Sequence, residues 1–152
     1  MQFSENFALA ELIISETAKR REIPNKPTPE QIENLRALAE NVLQPVRDYF
    51  KRPIYVSSGF RSLRVNNAVG GAPNSQHTRG EAADIDNDNT SVMNSDIFNF
   101  IKNNLEFDQL IWEYGNDTNP AWVHVSFSRR RNRKEVLRIS NVNGRRVTTK
   151  LQ

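Results

Sequence analysis

Apolar residues recur at helical spacing over the first fifty positions and alternate with polar ones after about residue 107. Phe7, Leu9, Leu12, Ile13 and Ala18 share one face of a predicted helix that Ser4 caps and that runs to about Arg21. After the rigid loop Ile23-Pro24-Asn25-Lys26-Pro27, the run Thr28-Pro29-Glu30-Gln31 is a strong helix start. Thr28 is the cap, Pro29 fits the first turn, and Gln31 completes a capping box. Ile32, Leu35, Leu38, Ala39, Val42, Leu43 and Val46 give this second helix one apolar face. Pro45 kinks or restarts it near Gln44, and it ends before Pro53.

Ile54-Tyr55-Val56 reads as a short strand, residues 61–69 as a short helix closed by Gly70-Gly71, and residues 72–81 as an irregular loop. Ala82–Ile85 is a buried strand. Thr90 or Ser91 caps a third helix to about Asn103, with Ile97, Phe98 and Ile101 inward. Phe107–Tyr114 and Trp122–Phe127 read as strands joined by a loop of turn residues. Val136–Ser140 and Arg145–Lys150 flank Asn143-Gly144, a pair suited to a tight primed turn, so a terminal hairpin is expected. Helices first and strands later predict an α+β fold with a mainly antiparallel sheet, in one domain spanning residues 1–152.

At 152 residues the chain is long enough to bury roughly 70% of its unfolded surface. There is no cysteine, which excludes a disulfide framework, a thiolate zinc site, an iron–sulfur cluster and a cysteine nucleophile. No apolar run is long enough to span a membrane. The first residues include Glu5 and Glu11 and lack a basic stretch followed by an apolar run, so no cleavable signal peptide is expected. The net charge of +3 hides an asymmetry. Residues 1–128 carry 12 Lys/Arg against 17 Asp/Glu, whereas residues 129–152 carry 9 against Glu135 alone. This basic C-terminal hairpin extension suits an anionic partner, or is simply a solvated surface.

The candidate chemistry lies on two histidines and a few carboxylates. His77 is in a polar loop, Asp84 is on the Ala82–Ile85 strand, and His124 is mid-strand in Trp122-Val123-His124-Val125-Ser126. Alternation sends Asp84 and His124 to the face opposite their apolar neighbours. Two histidines and one carboxylate suit a catalytic zinc with a position left for water. The seven-residue step from His77 to Asp84 fits a loop returning onto its own following strand, with Gly80 permitting the reversal. By spacing alone this signal is weak, and unrelated polar residues remain the plainer reading.

A longer series is more specific: Ser57-Ser58-Gly59-Phe60-Arg61-Ser62, Asn66, Val69-Gly70-Gly71, Ser75-Gln76-His77, Gly80, Ala82, Asp84, Phe107-Asp108-Gln109-Leu110-Ile111-Trp112-Glu113, and Trp122-Val123-His124-Val125-Ser126. Over roughly residues 5–128 it resembles the zinc D-Ala-D-Ala carboxypeptidase family, whose relatives include D,D-dipeptidases and phage endolysins. The resemblance implies a hedgehog/D,D-peptidase-like fold and one Zn²⁺ per chain held by His77, Asp84 and His124. It implies that Arg61 binds substrate and stabilises the developing oxyanion, and that Ser75 contacts substrate or supports the site. Many relatives place an acidic general base three residues before the last histidine, where this chain has Ala121. Glu113 is the replacement expected here: in a hairpin it lies opposite Ala121 or Trp122, and pairing it with Trp122 puts Ile111 opposite His124 and leaves Glu113 diagonally within reach of the same face. Asp86 and Asp117 are weaker substitutes.

The expected function is therefore zinc-dependent hydrolysis of peptide bonds in peptidoglycan stem peptides, as a carboxypeptidase or an endolysin-type endopeptidase. With no signal peptide seen, synthesis in the cytoplasm and phage-type release to the cell wall are expected, with residues 129–150 meeting an anionic envelope polymer. The alternative is a non-catalytic wall-binding module on the same scaffold. Nucleic acid is set aside, because the basic segment lacks interleaved aromatics. Ser57-Ser58-Gly59-Phe60 is not a serine-hydrolase elbow.

Overall fold

In the computed structural model, which describes residues 1–152, helices cover one face of a six-stranded sheet. The helices are α1 (Leu9–Leu12), α2 (Glu16–Arg21), α3 (Pro29–Leu38), α4 (Gln44–Phe50), α5 (Leu63–Ala68) and α6 (Asn94–Asn104). The strands are β1 (Val56–Ser58), β2 (Ala82–Ile85), β3 (Gln109–Glu113), β4 (Trp122–Ser126), β5 (Glu135–Val142) and β6 (Arg145–Leu151), ordered β1-β2-β4-β3-β5-β6. The expected α+β architecture holds. Every neighbouring pair is antiparallel except β3 and β5, which run parallel. The basic hairpin is thus the continuation of the main sheet.

One face of the sheet forms the core. Ala83, Ile85, Val123, Val125, Leu110, Trp112 and Val136 share a buried cluster with Leu35, Leu38, Val42, Leu43 and Val46 from the α3–α4 segment and with Ile97, Phe98 and Ile101 of α6. Each large side chain so buried contributes about 1.5–3 kcal/mol relative to exposure. The opposite face holds the polar alternates. Register aligns Asp84, His124, Ile111, Leu137 and Lys150 across five strands, and Trp122, Glu113, Ile139 and Thr148 in the next row.

Several local expectations are corrected. The first helix is broken: Ser4 donates its hydroxyl to Gln44 Oε1 instead of capping, and Ser15 caps α2 by accepting from the Ala18 N–H. The reason is visible at Leu12, whose carbonyl accepts the Phe60 N–H at 2.8 Å and not one from a following helical turn. The second helix bends through a π-helical turn over Ala39–Leu43, where the Gln44 N–H reaches back five residues to the Ala39 carbonyl. The wider turn accommodates Pro45, which has no N–H to give. β1 begins at Val56, since the Tyr55 N–H is taken by Asn87 Oδ1. α6 begins at Asn94 because Thr90 is committed to a turn, donating its hydroxyl to the Asn87 carbonyl and accepting the Val92 N–H.

Candidate active site

On the open face of the sheet, a cleft is bounded on one side by residues 69–77 and floored by β4, β3 and β5. Its lining includes Arg61, Ser75, His77, Asp84, Glu113 and His124. Asp84 and His124 are direct partners in the β2–β4 register. His77 comes from a short 3₁₀ turn, Gln76–Arg79, that replaces the expected irregular loop. Gly80 ends this turn at φ +73, a left-handed conformation that glycine adopts freely, and the chain then enters β2. That reversal lets two residues seven apart meet.

His77 Nε2 is 3.3 Å and His124 Nδ1 3.2 Å from the same Asp84 oxygen, Oδ1. One donor atom from each of the three residues lies within 4.8 Å of the others, and all three side chains are buried. The remaining nitrogens are committed elsewhere. His77 Nδ1 is 2.8 Å from the Gly59 carbonyl, which can only accept. The proton therefore sits on Nδ1, and Nε2 turns its lone pair to Asp84. His124 Nε2 is 3.2 Å from Gln76 Oε1. The orientation of Gln76 is fixed in turn, because its amide donates at 2.8 Å to Asp108 Oδ2. Asp108 accepts from Arg133 through Nε and a terminal nitrogen, both at 2.9 Å, and from the Arg133 backbone N–H at 3.0 Å. The chain from Arg133 through Asp108 and Gln76 leaves the proton of His124 on Nε2 and its Nδ1 lone pair facing Asp84.

Two neutral imidazoles thus aim lone pairs at a carboxylate at near-contact distance. Three acceptors converging with no proton between them repel unless a cation joins them. Burial raises the Asp84 pKa, whereas positive charge on the facing imidazoles pulls it well below the usual carboxylate range; a cation between the three side chains supplies that charge without a proton. The donor set of two nitrogens and one oxygen fits zinc, with both imidazoles oriented by hydrogen bonds from their far side.

Glu113 pairs with Trp122 and Ile111 with His124, one of the two registers the sequence allows. Glu113 Oε2 accepts the Trp122 indole N–H at 2.9 Å. Burial, followed by the nearby Asp84 charge, pushes the Glu113 carboxyl pKa up. Glu113 and Asp84 are the only carboxylates lining the cleft. Asp86 is turned away, accepting from the Asp88 N–H and the Asn94 amide, and Asp117 pairs with Arg138 at 2.7 Å.

Arg61 is held by Ser58 Oγ, Asn66 Oδ1 and the second oxygen of Asp84, 3.5 Å away. Asn66 is itself buried and donates to the Ala72 carbonyl, while a side chain at Gly71 would strike Asn66. Ser75 caps the 3₁₀ turn, its hydroxyl accepting the His77 N–H, and it also lines the cleft.

A family profile described as Peptidase M15 matches residues 5–126. The chain belongs to the peptidase M15 family. No curated protein matches it. Membership makes this M15 peptidase a metallopeptidase of a zinc family, and the His77–Asp84–His124 group is one that can bind the metal. The matched segment ends at Ser126, so Arg133 and the β5–β6 hairpin lie outside it. Gln76, Asp108 and Arg133 were not assigned roles from the sequence. The available signal was the polar Gln76 beside a candidate ligand and the lone acid of Phe107-Asp108-Gln109; nothing local marked Arg133 among its basic neighbours.

Proposed function

We propose that this protein hydrolyses a peptide bond in bacterial cell-wall peptidoglycan, with zinc held by His77, Asp84 and His124. The observation that carries this reading is the lone-pair convergence of the two imidazoles on Asp84 Oδ1, beside a single further carboxylate. A zinc ion there supplies Lewis acidity, lowering the pKa of nearby water and polarising a carbonyl. Glu113 takes the proton of the attacking water on Oε1, since Oε2 is engaged by Trp122, and passes it to the leaving amine. Its raised pKa favours this two-way transfer. Arg61, fixed by three partners, holds its guanidinium toward the negative charge that grows on the carbonyl oxygen. Ser75 fixes the turn that carries His77 and offers its hydroxyl to substrate at the cleft wall.

The wall peptide as substrate rests on family membership together with an open cleft able to admit an extended chain. Action at the cell wall, and a basic tail that meets an anionic envelope polymer, are part of the same proposal. The test is mass spectrometry of purified peptidoglycan incubated with zinc-loaded protein, alongside Glu113→Ala and a chelated sample. Fragments made only by the zinc-loaded wild type support the reading, and their masses separate loss of a terminal D-Ala from a cut inside the stem or cross-link. Intact muropeptides from protein shown to contain zinc would overturn it in favour of a wall-binding module.

A further inference from the structure

The nine cations of residues 129–152 are not one patch. Arg133 is committed to Asp108, Arg138 to Asp117, Arg129 bonds Asn34, and Lys134 lies over the Phe107 ring. Arg146 is different. It lines the same cleft as the His77–Asp84–His124 group, it is exposed, and its side chain makes no ion pair or hydrogen bond within the chain. Lys150 also belongs to the cleft-facing set of β6, but on this face it neighbours Glu135, which is bonded to Gln109. Arg146 is therefore the cation of this hairpin that lines the cleft without an ion-pair partner, its charge felt by Glu113 from a distance.

Register gives its position. Glu113 pairs with Ile139 and Ile139 with Thr148, and Arg146 follows two residues along β6 on the same face. Two strand spacings across and two residues along put its Cα roughly 12 Å from that of Glu113. Between them Ile139 lines the cleft; Tyr114 follows Glu113, and its ring is 5.4 Å from that of Trp122 on the other side of β3. Arg61 occupies the other side of the Asp84 carboxylate.

Building on the peptidase reading, we propose that Arg146 forms an anion subsite that receives a substrate carboxylate about four residues' length from the scissile bond. An extended peptide advances about 3.3 Å per residue, and His124 and Arg146 lie three strand spacings and four residues apart, about 20 Å between Cα atoms. With the arginine side chain reaching inward, a chain whose reacting carbonyl lies at the metal group crosses the Tyr114–Trp122–Ile139 floor before its acid reaches the guanidinium. The preferred substrate is an acidic peptide with small or apolar residues next to the cut.

The test compares a fluorescein-labelled wall-stem pentapeptide having a free α-carboxylate on its glutamate with the same peptide carrying a carboxamide there. Anisotropy titrations use the zinc-loaded full chain bearing Glu113→Gln, so that binding is read without turnover. The expected result is about a five-fold preference for the carboxylate, the size typical of an exposed ion pair, shrinking as salt rises. Adding Arg146→Gln abolishes the preference, and Arg146→Lys keeps part of it. Equal binding of the two peptides overturns the proposal, as does a preference that Arg146→Gln leaves intact or an equal weakening of both peptides. Hydrolysis of the pair by protein with Glu113 intact is followed in parallel. No cleavage of either peptide counts against the peptidase reading, while the anisotropy preference still decides the subsite.

Discussion

Asp108 ties the start of β3 to Arg133 ahead of the basic hairpin and, through Gln76, to His124, so its replacement tests the oriented-ligand argument. Asp108→Asn keeps the shape and exchanges one acceptor oxygen for a donor. The native carboxylate accepts four hydrogen bonds, three from Arg133 and one from Gln76. Each oxygen accepts two of them, so with an amide two donors must face another donor, which costs about 1–3 kcal/mol where the group is buried. The Arg133 side chain is 48% exposed, so the ion-pair contribution adds little, of order 0–1 kcal/mol. A loss of about 2–3 kcal/mol lowers the melting temperature by about 4–12 °C in a chain of this size. If Gln76 loses its anchor, His124 loses its oriented tautomer, and zinc affinity falls by about 10–100-fold. The assays are calorimetry of the chelated protein and competition for zinc against a chromogenic chelator. The pH dependence has a definite sign. The Arg133 hydrogen bonds hold the Asp108 pKa below its usual 3.8, so this stabilisation is complete above that value and is lost as pH falls through the lowered pKa. The gap between wild type and Asp108→Asn should therefore close in acid. An Asp108→Asn protein with wild-type melting temperature and zinc affinity at neutral pH would refute the reasoning.

Glu113→Gln should end hydrolysis yet raise the melting temperature of the metal-free protein at neutral pH by a few degrees. A carboxyl whose folded pKa is raised favours folding below its unfolded pKa and opposes it as pH climbs through the folded value; calorimetry at pH 7 reads this, and a lower melting temperature would contradict it. Gly59→Ala would drive a Cβ into the Leu12 carbonyl and disturb the carbonyl that orients His77; a destabilisation of about 1–3 kcal/mol by chemical denaturation, with weakened zinc binding, is expected. Zinc at a hundred times its dissociation constant should stabilise the wild type by about 2.7 kcal/mol, and His124→Ala should lose this thermal shift.

Much of this was legible in the chain. The capping box at Thr28, the alternation around Asp84 and His124, and the Asn143-Gly144 turn are local signals, and each led to the right element. The sequence narrowed the partner of Glu113 to Ala121 or Trp122; the sheet pairs it with Trp122, and the cleft brings Glu113 and Arg61 beside the three candidate ligands. What failed was set by distant partners. The break after Leu12 depends on Phe60, the late start of β1 on Asn87, and the commitment of Ser4 on Gln44. The π-helical answer to Pro45 also could not be read from a periodicity that 3.6-residue turns satisfy. The Gln76–Asp108–Arg133 chain joins residues 25 and 32 positions apart, a distance no short motif spans.

The parallel pairing of β5 with β3 also bears on solubility. Without the hairpin, β3 would end the sheet as Gln109-Leu110-Ile111-Trp112-Glu113, five residues with an apolar centre and a free row of backbone donors and acceptors, a template for another molecule's strand. The hairpin moves that boundary outward to β6, which exposes almost every side chain and bears Arg145, Arg146 and Lys150. The far boundary, β1, is only three residues long. One edge is thus guarded by like-charge repulsion and the other by brevity. The charged guard weakens as the Debye length shrinks to about 3 Å in molar salt, so light scattering should show reversible self-association rising with ionic strength and vanishing on dilution.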